Sequence, residues 1–152
     1  MLRVHDVAEH RRRALAPLDD EPGIALVAVS RFYRTPPWGK TDQDWFVNAC
    51  ALARTDLKPE ALLDRVKAIE TALGRSPAER WGPRLIDLDI IAYDDLAMQS
   101  ERLTVPHPEA LDRAFALVPL AEIAPDRVIG GRRVGDAAAS LGAATEGVIP
   151  LD

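Results

Sequence analysis

Residues 46–75 read FVNACALARTDLKPEALLDRVKAIETALGR, and the change of hydrophobic period inside this stretch decides the class of fold. Its first part, residues 46–54, is apolar and rich in residues suited to a pleated surface, and predicts a strand. From Lys58 onward Leu62, Val66, Ile69 and Leu73 recur at spacings of three and four, which predicts a helix with Pro59 in its first turn and Gly74 at its C-terminal cap. Upstream, IALVAVSRFYR (24–34) predicts another strand, with Gly23 before it and Pro36 and Pro37 after it. Between the two strands TPPWGKTDQD (35–44) is longer than a tight hairpin needs and reads as a functional loop.

Farther out, residues 85–93 predict a third strand, residues 114–123 a short apolar helix broken by Pro119, and VGDAAASL (134–141) a final helix. At the start, Val4, Ala8, Leu15 and Leu18 predict a helix over 4–18 around the basic Arg11 to Arg13. Helices interleave with strands, so the class is α+β or α/β, in one domain spanning residues 1–152.

Composition bounds the function. The 152 residues are 47% hydrophobic, enough to close one core. No apolar run approaches the roughly 20 residues of a spanning helix, and MLRVHDVAEHRRR has no signal-peptide apolar block, so the cytoplasm is the expected compartment. Cys50 is the only cysteine, which excludes an internal disulfide and a cysteine metal cage; it reads as a small buried apolar residue. A net charge of -5 argues against nucleic-acid binding, and no aromatic stretch of the RNA-binding type supports an RNA module. Of the 19 basic residues 16 are arginine, the side chain suited to forked contacts with phosphate.

The segment RWGPRLIDLDIIAYDD (80–95) places Asp87 and Asp89 on one face of the predicted strand. Two like charges this close need a cation between them or free access to water. On spacing alone, a Mg²⁺ site and a hydrated edge strand are equal readings. Arg75, Arg80 and Arg84 lie just upstream, in GRSPAERWGPR (74–84). Cations for phosphate beside acids for metal favour transfer from a nucleoside triphosphate. No GxxxxGK[ST] loop is present, so the site is not of the Walker type. His107, between Pro106 and Pro108, is a candidate positioned side chain, although such a histidine alone is more often a surface residue. Phe46 and Asn48 share a strand face and together suit a flat heterocycle; a strand amide satisfied by backbone is the competing reading. His5 and His10 have no ligand-spaced partner. A simple γ-phosphoryl kinase shares the metal and arginine logic but would release ADP.

Five stretches, SRFYRTPPWG, DWFVNACAL, RWGPRLIDLDI, LTVPHPEALDRAF and LVPLAEIAPD, occur in the order that resembles the 6-hydroxymethyl-7,8-dihydropterin pyrophosphokinase family of folate biosynthesis, from about residue 23 to about residue 126. The resemblance implies a ferredoxin-like α/β sandwich and transfer of a diphosphoryl group from ATP to the pterin hydroxymethyl oxygen, with release of AMP. It implies that Asp87 and Asp89 bind two Mg²⁺ ions and that Arg75 and Arg84 contact phosphate. ATP would also meet Lys67, Glu70, Trp81, Ile90, His107 and Arg113, with Lys67 standing where an amide is common in the family. The pterin would meet Thr35, Pro36, Trp38, Phe46, Asn48 and Phe115, with Phe46 in place of a common tyrosine. Small-molecule substrates are thus the expected partners, with no nucleic acid and no membrane.

Two departures from the family pattern carry their own expectations. SPAE (76–79) is short where many members carry extra basic residues, so the arginine loop is expected to close less fully. No Gly-Ser-Asn occurs, so the family's N-terminal sheet strand is expected to be lacking, with residues 2–7 replacing it only in part. The alternative is therefore a truncated or non-catalytic relative, or an oligomer that completes its sheet by strand donation.

Overall fold

The apolar runs around residues 24–35 and 46–55 pair as one long antiparallel hairpin, and its register explains how the rest of the chain is arranged. A computed structural model describes residues 2–3, 15–35, 46–74 and 88–151. In chain order these form β1 (Leu2–Arg3), α1 (15–20), β2 (Ile24–Val29), β3 (Tyr33–Thr35), β4 (Phe46–Asn48), β5 (Ala51–Thr55) and α2 (Pro59–Gly74). There follow β6 (Met98–Gln99), β7 (Thr104–Val105), α3 (Ala114–Ile123), β8 (Val128–Ile129), β9 (Arg132–Arg133), α4 (Val134–Ser140) and β10 (Ile149–Pro150). Antiparallel pairing throughout the described strands, with helices between them, makes the class α+β.

Each strand expected as one piece is divided. Pairing runs Leu26↔Ala53, then Ala28↔Leu52, so the first strand carries one extra residue there. From Val29↔Ala51 to Tyr33↔Asn48 it advances four residues against three, a second extra residue. Such insertions bend a strand and increase its twist. Ser30 stabilises the second break: it is fully buried, its N–H donates to Cys50 O at 2.9 Å, and its Oγ accepts the Cys50 N–H at 2.9 Å. A side-chain oxygen thus replaces a ladder carbonyl. Beyond the break β3 and β4 join a second sheet, ordered β1-β4-β3-β10, while β2 and β5 form a two-stranded sheet.

Helix α2 spans the residues expected, from Pro59 to Gly74, and buries Leu63, Val66, Ile69 and Glu70. Leu63, rather than the half-buried Leu62, is its deepest residue near the N-terminal end. The helix expected to break at Pro119 instead runs through it, from Ala114 to Ile123. The proline removes only its own N–H bond, while Leu117, Pro119 and Leu120 are all buried against the core, which holds the turns together. The predicted final helix is α4.

The strand expected over 85–93 is not seen in its described part: residues 88–93 form no ladder among the described residues. Their backbone is held otherwise, by side chains of α2 and by a bond from His107 N–H to Ile91 O at 2.7 Å. The segment still alternates, with Leu88 and Ile90 half-buried and Asp89 exposed. It also touches all three apolar clusters: Leu88 packs on Phe32 and Val47, Ile90 on Leu63, Leu103 and Val105, and Ile91 and Ala92 on the cluster around Leu117 and Val134. Most of the helix expected over 4–18, the loop 36–45 and residues 75–87 lie outside the described residues. No described helix is long and apolar enough to cross a membrane.

Leu117 is fully buried among Leu120, Ile129, Val134 and Ala137, so Leu117→Ala should lower stability in urea unfolding by about 2–5 kcal/mol. Burial pushes the Cys50 thiol up from the usual 9.0 to about 12. The native thiol should therefore react with dithionitrobenzoate at pH 8 roughly 10³-fold more slowly than in urea, since thiolate is the reactive form. The raised value also means that burial of the neutral thiol contributes stability below about pH 9 and that this contribution is lost as pH rises towards 12.

Candidate functional site

One turn of α2 carries both Lys67 and Glu70, and together they hold the segment that bears Asp89. Glu70 is buried at 8% exposure, an uncommon place for a carboxylate unless it is paired. It accepts the Leu88 N–H at 2.8 Å and the Lys67 ammonium at 3.2 Å. Lys67 in turn donates to Leu88 O at 3.3 Å. The peptide groups on both sides of Leu88 are thereby tied to one helix, and Asp89 is turned outward.

Asp89 opens onto a cleft of about 300 Å³. Leu63, Ile90 and Leu103 form its apolar wall, while Lys67, Arg102, Asp89 and His107 supply its charged and polar groups. Arg102 is ion-paired with Asp64 of α2 at the exposed rim. His107 is half-buried; its Nδ1 accepts the Glu109 N–H at 3.3 Å, so in the neutral ring Nε2 carries the proton and is the available donor. The Asp89 carboxylate makes no hydrogen bond or ion pair with another described residue. An exposed, unpartnered carboxylate is the kind of hard oxygen ligand that Mg²⁺ takes, so Asp89 fits that ion. Among the described residues no three His, Cys, Asp or Glu side chains cluster as a metal cage; Asp87, the expected second ligand, lies outside them.

A second group of polar and aromatic residues lies on the hairpin and α3. Tyr33 faces Asn48 across the β3–β4 ladder, and Thr35 faces Phe46, so these four positions share one face of the sheet. The Asn48 Nδ2 is buried and has no hydrogen-bond partner among the described residues. An orphaned buried donor costs about 1–3 kcal/mol, which a ligand acceptor would offset. Helix α3 packs against β3, β4 and β5 and carries the half-buried Phe115. Arg113 stacks on the Phe115 ring, 5.7 Å from its centroid, and pairs with Glu109.

Of the residues expected at the nucleotide site, Lys67, Asp89, Ile90 and His107 line the cleft and Glu70 lies directly behind it. Arg113 does not line it and instead accompanies Phe115. Pro36, Trp38, Arg75, Trp81, Arg84 and Asp87 lie outside the described residues, as does the Phe46 side chain. The sequence reading missed Arg102 and Thr104, which also line the cleft. Their signal was the alternation in RLTV (102–105), where buried Leu103 and Val105 alternate with these two.

The fold is of the α+β class, with Lys67, Asp89, Arg102 and His107 on one cleft and positions 33, 35, 46 and 48 on one face of the hairpin. Residues 3–125 match the 7,8-dihydro-6-hydroxymethylpterin-pyrophosphokinase (HPPK) family, and the chain belongs to that family. It is 52% identical over 138 residues to a Methylorubrum extorquens protein named 2-amino-4-hydroxy-6-hydroxymethyldihydropteridine pyrophosphokinase, covering 91% of this chain and 87% of that one. Proteins of the same name from Pseudomonas aeruginosa and Haemophilus influenzae are 44% and 41% identical, covering 85% and 83% of this chain and 82% and 79% of theirs.

Glu70→Ala should leave the Leu88 N–H without its acceptor, lowering stability by about 1–3 kcal/mol and speeding hydrogen exchange at that amide. Glu70→Gln keeps a carbonyl acceptor and is expected to cost less.

Proposed function

We propose that the chain transfers a diphosphoryl group from ATP to 6-hydroxymethyl-7,8-dihydropterin in folate biosynthesis, as one cytoplasmic domain with a ferredoxin-like sandwich. The observation that carries this reading is the convergence of Lys67, Arg102, Asp89 and His107 on one cleft with an apolar wall. Two cations and the His107 Nε2–H suit triphosphate oxygens, and Leu63, Ile90 and Leu103 suit the base. The orphaned Asn48 Nδ2 supports the second substrate, since the pterin ring has acceptors on its edge and apolar faces for Phe46 and Phe115 to flank.

In the reaction the pterin hydroxymethyl oxygen bonds to the β-phosphorus. The bond from that phosphorus to the α–β bridging oxygen breaks, AMP leaves with the oxygen, and the hydroxyl proton is released. Asp87 and Asp89 would hold two Mg²⁺ ions, which when bound neutralise charge on the phosphates. The residues of the chain do the positioning. Lys67 is fixed by Glu70 and Leu88 O, so its ammonium is already oriented when the nucleotide arrives. Arg75, Arg84, Trp81 and Arg113 are assigned to the nucleotide and Thr35, Pro36 and Trp38 to the pterin, on the resemblance; Arg113 stacks on Phe115 and does not line the cleft.

AMP release from ATP with Mg²⁺ and 6-hydroxymethyl-7,8-dihydropterin tests the proposal. AMP should form only with both present, stop on chelation and return with added Mg²⁺. Asp87→Ala and Asp89→Ala should each lower kcat by about 10²-fold or more. ADP in place of AMP would assign a γ-phosphoryl kinase instead.

A further inference from the structure

Glu122, on the last turn of α3, joins that helix to the hairpin through both carboxylate oxygens. Tyr33 OH donates to Oε1, and the Arg31 N–H donates to Oε2 at 2.9 Å. Tyr33 is buried at 7% exposure, while Glu122 is exposed, so the bond runs from the core outward to the helix. At the other end of α3 the Cys50 thiol donates to Ala116 O at 3.5 Å. The helix is thus tied to the hairpin at two points, with Pro119 between them. Pro119 has no N–H for the Phe115 carbonyl, so the turn that carries Phe115 depends more than usual on these outside ties.

The geometry matters for the sheet face described above. Phe115 and Glu122 are seven residues apart, which puts them on one side of the helix at an axial separation of about 10 Å. Tyr33 faces Asn48 across the ladder. One hydrogen-bonded pair therefore connects the strand next to the orphaned amide with the helix that carries the aromatic ring. None of the residues lining the nucleotide cleft comes from α3 or β3.

We infer that Tyr33 and Glu122 are positioning residues, a clamp that sets the distance between the Phe115 ring and the Asn48 amide and so the affinity for the flat substrate; this rests on the pterin reading proposed above. Burial, followed by the Glu122 hydrogen bond, pushes the Tyr33 phenol from 10.0 up to about 12, so it remains a donor at every physiological pH.

The test compares wild type, Tyr33→Phe, Glu122→Ala and the double variant by calorimetric binding of 6-hydroxymethyl-7,8-dihydropterin and of a non-hydrolysable ATP analogue. The rate of Cys50 modification by dithionitrobenzoate is read on the same samples. Each single variant should weaken pterin binding about tenfold, as expected for a hydrogen bond to a charged group. The double variant should be no worse than Glu122→Ala alone, because that substitution already removes the Tyr33 bond. Affinity for the ATP analogue should stay within about twofold, and Cys50 should react severalfold faster as α3 loosens. Uniform weakening of both ligands would indicate a general stability effect and overturn the inference, as would unchanged pterin binding in a folded Tyr33→Phe protein. If wild type binds no pterin, the functional reading fails separately, and an unchanged Cys50 rate in Tyr33→Phe then rejects the clamp itself.

Discussion

The buried carboxylate of Glu70 is the constraint on which the cleft depends. A carboxylate removed from water is stable only where donors replace its hydration, and here a backbone N–H and an ammonium do so. Because the N–H belongs to Leu88, satisfying Glu70 also fixes the chain just before Asp89. Because the ammonium belongs to Lys67, the same requirement orients a cation at the cleft. Leaving a buried hydrogen-bonding group without its partner typically costs about 1–3 kcal/mol, so the arrangement is held as a unit.

That unit sits where the apolar clusters meet. Leu88, Ile90, Ile91 and Ala92 each pack into one of three clusters, so the segment is anchored by side chains on both of its faces while Asp89 stays in water. An acid could not be presented from a loosely held loop with this accuracy without a large entropic cost. The hairpin works by a related device. Its two extra residues bend it, and the buried Ser30 hydroxyl replaces a lost ladder bond, so that β3 and β4 leave the first sheet and pack against α3.

The catalytic logic follows from this division. The cleft is built from α2, the 88–93 segment and the residues around His107, whereas the face that carries Asn48 is built from β3 and β4, against which α3 packs. In the function proposed above the cleft would hold the nucleotide and the sheet face the pterin, and phosphoryl transfer between them needs alignment more than it needs covalent help from the protein.

Helix α2 was legible in the sequence because its period, its proline start and its glycine end are local signals. Asp89 and His107 stood out as residue types in their own local segments, whereas Lys67 and Ile90 entered only through the order of the motifs, and only the fold brings the four onto one cleft. The sequence could not show that the run 85–93 would lack a ladder over its described part, because apolar alternation reports burial and not which groups satisfy the backbone. Nor could it show that α3 would continue through Pro119, since the packing of Leu117, Pro119 and Leu120 outweighs one missing hydrogen bond. Arg102 joined the cleft only through the fold that brings residues 102–108 beside α2. By itself the sequence determined helices α2 and α4 and the apolar runs that pair as the hairpin, all set by neighbours within a few positions. Tertiary structure alone decided the Glu70–Leu88 bond, the orphaned Asn48 amide and the Tyr33–Glu122 tie, because each depends on groups 18 to 89 residues apart that meet only when the core closes.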